Sequence, residues 1–111
     1  MVRRIGTTSQ VGEAALKQFG GQSQVFFKTN LRRRFVDQLA GSVAHESKVG
    51  YTTLTRFLRL QIAKDIELIR TGQISGCIWH FFRSPQTGRV GPSAPLLQKL
   101  QQAGIHIQIY P

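Results

Sequence analysis

Residues 34–49 read RFVDQLAGSVAHESKV, from Arg34 to Val49. Ala40-Gly41-Ser42 supplies turn chemistry between two stretches carrying β-branched and aromatic residues. This predicts a strand over roughly Arg34–Leu39, a tight turn, and a second strand over Val43–Val49. Strand geometry alternates side chains between faces, so Phe35 and Val36 part company on the first strand. On the second, Glu46 and Lys48 share one face while His45 and Ser47 take the other. A turn spanning Ala40 to Val43 sets Asp37 directly opposite Glu46; other turn lengths leave it diagonal.

Upstream, Gln24–Asn30 (QVFFKTN) has the composition of a strand, and a turn near Leu31 to Arg33 joins it to the first, completing a meander. Before it, Gly12–Phe19 predicts a short helix stopped by Gly20-Gly21. Downstream, Thr52 or Thr53 caps a long helix reaching Arg70 and closed by Gly72. Its apolar stripe is Leu54, Phe57, Leu58, Ile62, Ile66 and Ile69. A strand follows at Cys77–Arg83, then a loop at Ser84–Ala94, a helix at Pro95–Ala103 and a strand at Ile105–Tyr110. The order α-β-β-β-α-β-α-β predicts an α/β sandwich around one mixed central sheet.

The chain has 111 residues, enough for one domain, and its 41% hydrophobic and 18% charged content supports a buried core. A lone cysteine, Cys77, excludes an internal disulfide framework and an all-thiolate zinc site. No apolar run approaches the ~20 residues that span a bilayer. Met1-Val2-Arg3-Arg4 lacks the apolar stretch of a signal peptide. Fifteen Lys and Arg against five Asp and Glu give a net charge of +10. So one-sided a field predicts a polyanionic partner: nucleic acid above all, otherwise an acidic membrane face or an acidic protein.

Any chemistry needing negative charge must draw on Glu13, Asp37, Glu46, Asp65 and Glu67. Two carboxylates converging with a lysine are costly in a core but suit a divalent cation and a phosphate. Asp37 and Glu46 supply hard oxygen ligands, joined by the Ser47 backbone carbonyl and waters. Lys48 then positions a nucleophile or stabilises charge in the transition state. Taken alone, such a triplet is usually a surface cross-strand ion pair, so its surroundings decide.

Those surroundings resemble the PD-(D/E)xK, or restriction-endonuclease-like, superfamily, whose pattern is an acidic helix, a meander with an acid, a strand with (D/E)-x-K, and a helix. Glu13 in VGEAAL, Asp37 in RRFVDQLAG, and Glu46 with Lys48 in AHESKVG match it, and Gln61 matches a supporting polar position on the next helix. Val36 stands where a proline often precedes the meander acid. Within the superfamily, HESKVGYTTLT, QIAKDIELI, WHFFRSPQTG and GPSAPLLQKLQQAGI look like the toxin domains of bacterial polymorphic and contact-dependent growth inhibition systems, over about Val11 to Tyr110.

The resemblance implies a single restriction-endonuclease-like domain over 1–111 acting as a Mg2+- or Mn2+-dependent endonuclease. Asp37 and Glu46 would hold the metal, Glu13, Lys48 and Gln61 would complete the catalytic set, and DNA is the preferred substrate, with transfer RNA the alternative. It further implies a C-terminal module of a larger secreted bacterial toxin, working in the target-cell cytoplasm. A cognate immunity protein would neutralise it, and the +10 charge predicts that this partner is acidic. The competing readings are a non-catalytic basic nucleic-acid-binding module and a protein-interaction domain.

Arg32, Arg33, Arg34, Arg56, Arg83 and Arg89 are the expected phosphate contacts, with Arg59 and Lys64 beside them. Glu13 is also open to reading as an acid favoured by a helix N-terminus, and Gln61 as a buried polar residue capped by backbone. Asp65 and Glu67 read as a solvated helix face, Asp65 free to pair with Lys64 or a nearby arginine. Cys77 and His80 read as core residues. His45 points away from Glu46, and a ribonuclease built on His45, His80 and His106 would need three strands to converge.

Overall fold

Helix α1 is Thr8–Leu16, extended by a 3-10 turn at Lys17–Phe19. The structure, a computed structural model, describes residues 8–111, so the Met1–Arg4 segment lies outside the described residues. Strands β1 (Gln22–Thr29), β2 (Arg32–Ala40) and β3 (Val43–Val49) form the expected antiparallel meander, and β4 is only Tyr51–Thr52. Then come α2 (Arg56–Arg70), β5 (Gly76–Phe82), β6 (Gly91–Pro92), α3 (Ala94–Gln102) and β7 (His106–Tyr110).

Five strands make one mixed sheet in the order β1-β2-β3-β5-β7, antiparallel up to β3 and parallel from there on. Two parallel pairings require crossovers, and α2 and α3 supply them. Tyr51–Thr52 and Gly91–Pro92 pair separately, tying the entry to α2 to the entry to α3. Both helices start where a hydroxyl accepts a free amide: Thr55 takes Leu58 N, and Ser93 takes Leu96 N. Thr55 therefore replaces Thr52 or Thr53 as the cap of α2, because Thr52 is committed to β4. The expected loop at Ser84–Ala94 likewise contains β6 and the cap of α3.

The main core lies between the sheet and the two crossover helices. Val36, Ala44, Cys77, Trp79 and Phe81 of the sheet meet Leu58, Ile62, Leu68, Leu96 and Leu100. Of the stripe expected from apolar spacing, Leu58 and Ile62 are buried and Leu54, Ile66 and Ile69 pack against the core, and Asp65 and Leu68 are buried beside them. Phe57, counted in that stripe, is 67% exposed, one position round the helix from Leu58.

On the other face α1 packs on β3. Gly12 makes this possible: a Cβ there would come within 2.8 Å of Ser47 Oγ and 3.0 Å of Val49 Cγ2. The helix starts at Thr8, earlier than the expected Gly12, which puts Gly12 in its middle, where glycine is disfavoured without such a packing reason. Among the described residues, no helix is long and apolar enough to cross a membrane.

Candidate active site

The β2–β3 ladder covers only Ala40↔Val43, Leu39↔Ala44 and Gln38↔His45. The register continues in the sense expected from the sequence, but pairing stops one residue before Asp37 and Glu46 would face each other. There Asp37 uses its side chain instead of its backbone: Oδ2 accepts from Ser47 N at 2.9 Å and from Ser47 Oγ at 3.1 Å. Its other oxygen accepts from Gln24 Nε2 at 3.4 Å, and the same amide donates to Glu13 Oε1 at 3.2 Å. Gln24 sits at φ 54, a left-handed conformation that a non-glycine residue adopts at a local cost. Glu13 of α1 is thereby joined to the meander through Gln24 and Asp37.

Glu46 faces the crossover helices, on the side of Trp79, its partner in β5. Lys48 Nζ donates to Glu46 Oε2 at 3.1 Å and to Gln61 Oε1 at 3.0 Å, and lies 5.0 Å over the Trp79 ring. Gln61, on α2, is thus a partner of Lys48 rather than a side chain capped by backbone. The other Glu46 oxygen accepts from Arg34 Nη2 at 3.1 Å.

Arg34 departs from its expected place on a phosphate-binding surface. It is buried, with Nε 2.9 Å from Asp65 Oδ1 and Nη2 3.3 Å from Asp65 Oδ2. Asp65 is likewise no solvated residue: it is fully buried on α2 and also accepts from Trp79 Nε1 at 3.0 Å. A carboxylate there survives only because arginine and indole saturate it. Burial alone would lower the proton affinity of Arg34, but the charges of Glu46 and Asp65 together raise it, so it stays charged. Burial, then the charge of Asp65, pushes the Cys77 thiol well up, in keeping with its reading as an inert core residue.

Asp37 reports the electrostatics most directly. Burial first, then the charge of Glu46, pushes its carboxyl up to about 6 against the two Ser47 hydrogen bonds, which favour the ionised form. Glu13 adds to the rise. Asp37 offers hard oxygens of the kind a divalent cation takes, at a position where burial and the charges of Glu46 and Glu13 disfavour the unaccompanied carboxylate. Among the described residues no three His, Cys, Asp or Glu side chains form a ready-made metal cluster, so such an ion would draw ligands from Asp37, Glu46, backbone and water.

Of the other expected phosphate contacts, Arg32, Arg33, Arg56, Arg83 and Arg89 are exposed. Arg89 lies over the Tyr51 ring at 4.4 Å. On the α1 face, His45 and His80 do converge: Nδ1 of His45 lies 2.8 Å from Nε2 of His80, whose Nδ1 meets Tyr110 OH at 2.9 Å. Phe19 stacks on His45 at 4.6 Å. Burial, then the His45 charge, lowers His80 to about 4, and burial lowers His45. His106 is exposed at the start of β7, so two of the three histidines meet and the third does not. The parallel β3–β5 register, which pairs Ser47 with His80, brings them together, and a crossover register is not readable from strand periodicity. Comparison of the chain with family models, curated proteins and solved structures finds no match.

Proposed function

We propose that the chain is a divalent-metal-dependent nuclease of restriction-endonuclease-like type, cutting phosphodiester bonds at Asp37, Glu46 and Lys48. One observation carries the reading: Lys48 is held between Glu46 of its own strand and Gln61 of the following helix, beside the point where Asp37 seizes Ser47. Lys48, Glu46 and Gln61 thereby meet on the α2 side of β3, while Asp37 reaches the intervening Ser47 together with Gln24 and Glu13 from the α1 side, in a protein of net charge +10.

Asp37 and Glu46 would hold Mg2+ or Mn2+, with the Ser47 carbonyl and water completing the shell, and Glu13 acting from behind through Gln24. The ion, when bound, adds positive charge at the scissile phosphate and acidifies water. Lys48, fixed by Gln61 and by the Trp79 face, orients the attacking water or neutralises the phosphorane-like charge. Arg34 holds Glu46 in place and is a positioning residue. The exposed arginines, Arg32, Arg33, Arg56, Arg83 and Arg89, draw in the polyanion.

The toxin-like phrases support an interbacterial effector carried at the C-terminus of a larger secreted protein, acting on DNA or on transfer RNA in the target-cell cytoplasm. The net charge supports an acidic immunity protein as inhibitor, associating fast through steering. The second reading, a non-catalytic nucleic-acid-binding module, is favoured by the full engagement of Glu46 by Arg34 and Lys48.

Incubation of the protein with plasmid DNA and with total RNA, in Mg2+, in Mn2+ and in chelator, separates the two. The nuclease reading expects metal-dependent cleavage that falls at least ~100-fold in Lys48→Ala, the scale of losing one transition-state charge partner. Absence of cleavage with every divalent metal refutes it, and full cleavage by Lys48→Ala refutes the site.

A further inference from the structure

Beside the candidate site, β1, β2 and α2 enclose a groove of about 830 Å3. Three phenylalanines line it and remain exposed: Phe57 at 67%, Phe26 at 52% and Phe35 at 46%. The Phe26 and Phe35 rings lean together with centroids 5.4 Å apart and planes at 55°. Lys28, Arg33 and Lys64 stand among them, and Lys64 Nζ bridges to the Arg33 carbonyl at 3.0 Å. None of the described residues lining the groove is acidic.

Open phenylalanine faces interleaved with cations are a costly surface for water and a fitting one for unstacked bases on a phosphate backbone. Duplex DNA keeps its base faces hidden in the stack, so only unpaired nucleotides can use such rings. The groove is also continuous with the catalytic corner. Phe57 lies one helical turn before Gln61 on α2, and Gln61 holds Lys48 at 3.0 Å. Gln61 itself lines the groove.

We propose that this groove binds single-stranded nucleic acid, its phenylalanines stacking unpaired bases and its lysines and arginines taking the adjoining phosphates. The substrate of the neighbouring site is then an unpaired segment, a loop of folded RNA or a melted stretch of DNA, rather than intact duplex. Only that last step rests on the nuclease reading; binding by the groove does not.

The test is fluorescence anisotropy in chelator, where no cleavage occurs, with a labelled single-stranded DNA 12-mer, the same sequence as RNA, and its DNA duplex. The full chain is compared with Phe57→Ala, Phe57→Trp and Arg33→Ala across a salt series. Phe57 is exposed enough that its removal leaves the fold intact, which circular dichroism checks. The expected result is tighter binding of a single strand than of the duplex, with RNA against DNA identifying the preferred sugar. Phe57→Ala weakens single-strand binding about 5- to 150-fold, the scale of one lost stacking platform, and Phe57→Trp restores it. Arg33→Ala lowers the salt slope by about one while Phe57→Ala leaves it unchanged.

Single-strand affinity unchanged by Phe57→Ala, or lost equally for duplex, overturns the proposal and leaves the groove to a protein partner. If cleavage is absent with every divalent metal yet Phe57→Ala selectively weakens the single strand, the groove stands and the nuclease reading falls. Cleavage without that selectivity gives the reverse.

Discussion

Replacing Asp37 by asparagine should make the metal-free protein more stable while abolishing the proposed nuclease activity. The carboxyl of Asp37 titrates at about 6 in the folded chain against an ordinary 3.8, chiefly through burial and the charge of Glu46. The folded state binds this proton more tightly than the unfolded state, so the group weakens stability as pH rises from about 4 through 6, and the whole penalty is present above that. A gap of about 2.2, at about 1.36 kcal/mol per tenfold change in proton affinity, makes it about 3 kcal/mol. Asparagine keeps an oxygen for the Ser47 amide and hydroxyl but carries no charge. At pH 8 in chelator, urea unfolding of Asp37→Asn should therefore show up to about 3 kcal/mol of added stability, a midpoint shift near 2 M for m of about 1.5 kcal/mol/M. At pH 4 the gain should shrink below about 1 kcal/mol, since wild-type Asp37 is then protonated. His45 and His80, both lowered, are common to the two proteins, so the difference isolates Asp37. Added Mg2+ should stabilise the wild type and not the variant. A variant less stable than wild type at pH 8, or stabilised equally at pH 4 and pH 8, would refute the electrostatic account of the site.

The buried ion network gives a second prediction: Arg34→Ala strands Glu46 and Asp65 and should cost about 3–5 kcal/mol in the same urea assay. A loss below ~1 kcal/mol would show that Asp65 is not sealed from water. Gly12→Ala pushes a methyl into Ser47 and Val49 and should cost about 1–3 kcal/mol. Cleavage should fall with it, because Ser47 orients Asp37; a neutral substitution would mean that α1 does not seat on β3. His80, lowered to about 4, contributes stability that is present above pH 6.5 and lost as pH falls toward 4. His80→Gln should flatten that acid limb in thermal melts, and an unchanged pH profile would place the loss elsewhere.

The legible parts of this fold were those carried by local period and punctuation. Val43–Val49 is bounded as the alternation and Gly41 imply, and the meander, the long helix and the α-β-β-β-α-β-α-β order follow from equally local patterns. The two-residue strands Tyr51–Thr52 and Gly91–Pro92 were not legible, because so short a pairing leaves no periodic trace. Two positions of α2, Phe57 and Asp65, were misread for a related reason. Apolar spacing favoured Phe57, whereas burial falls on Asp65, whose carboxylate is tolerated by a partner on another element.

At the candidate site, sequence by itself determined that Glu46 and Lys48 share a face, since two residues apart on one strand admits no other outcome. It also made carboxylates scarce enough to direct attention to Asp37 and Glu46. Only the tertiary structure decided that Asp37 meets Ser47 through its side chain, that Arg34 is buried and bound to Asp65 rather than open to phosphate, and that His45 reaches His80. Each of these depends on where separate elements approach one another. Such approaches are set by register, helix seating and the need to satisfy every buried charge, none of which is encoded in the local period of the chain.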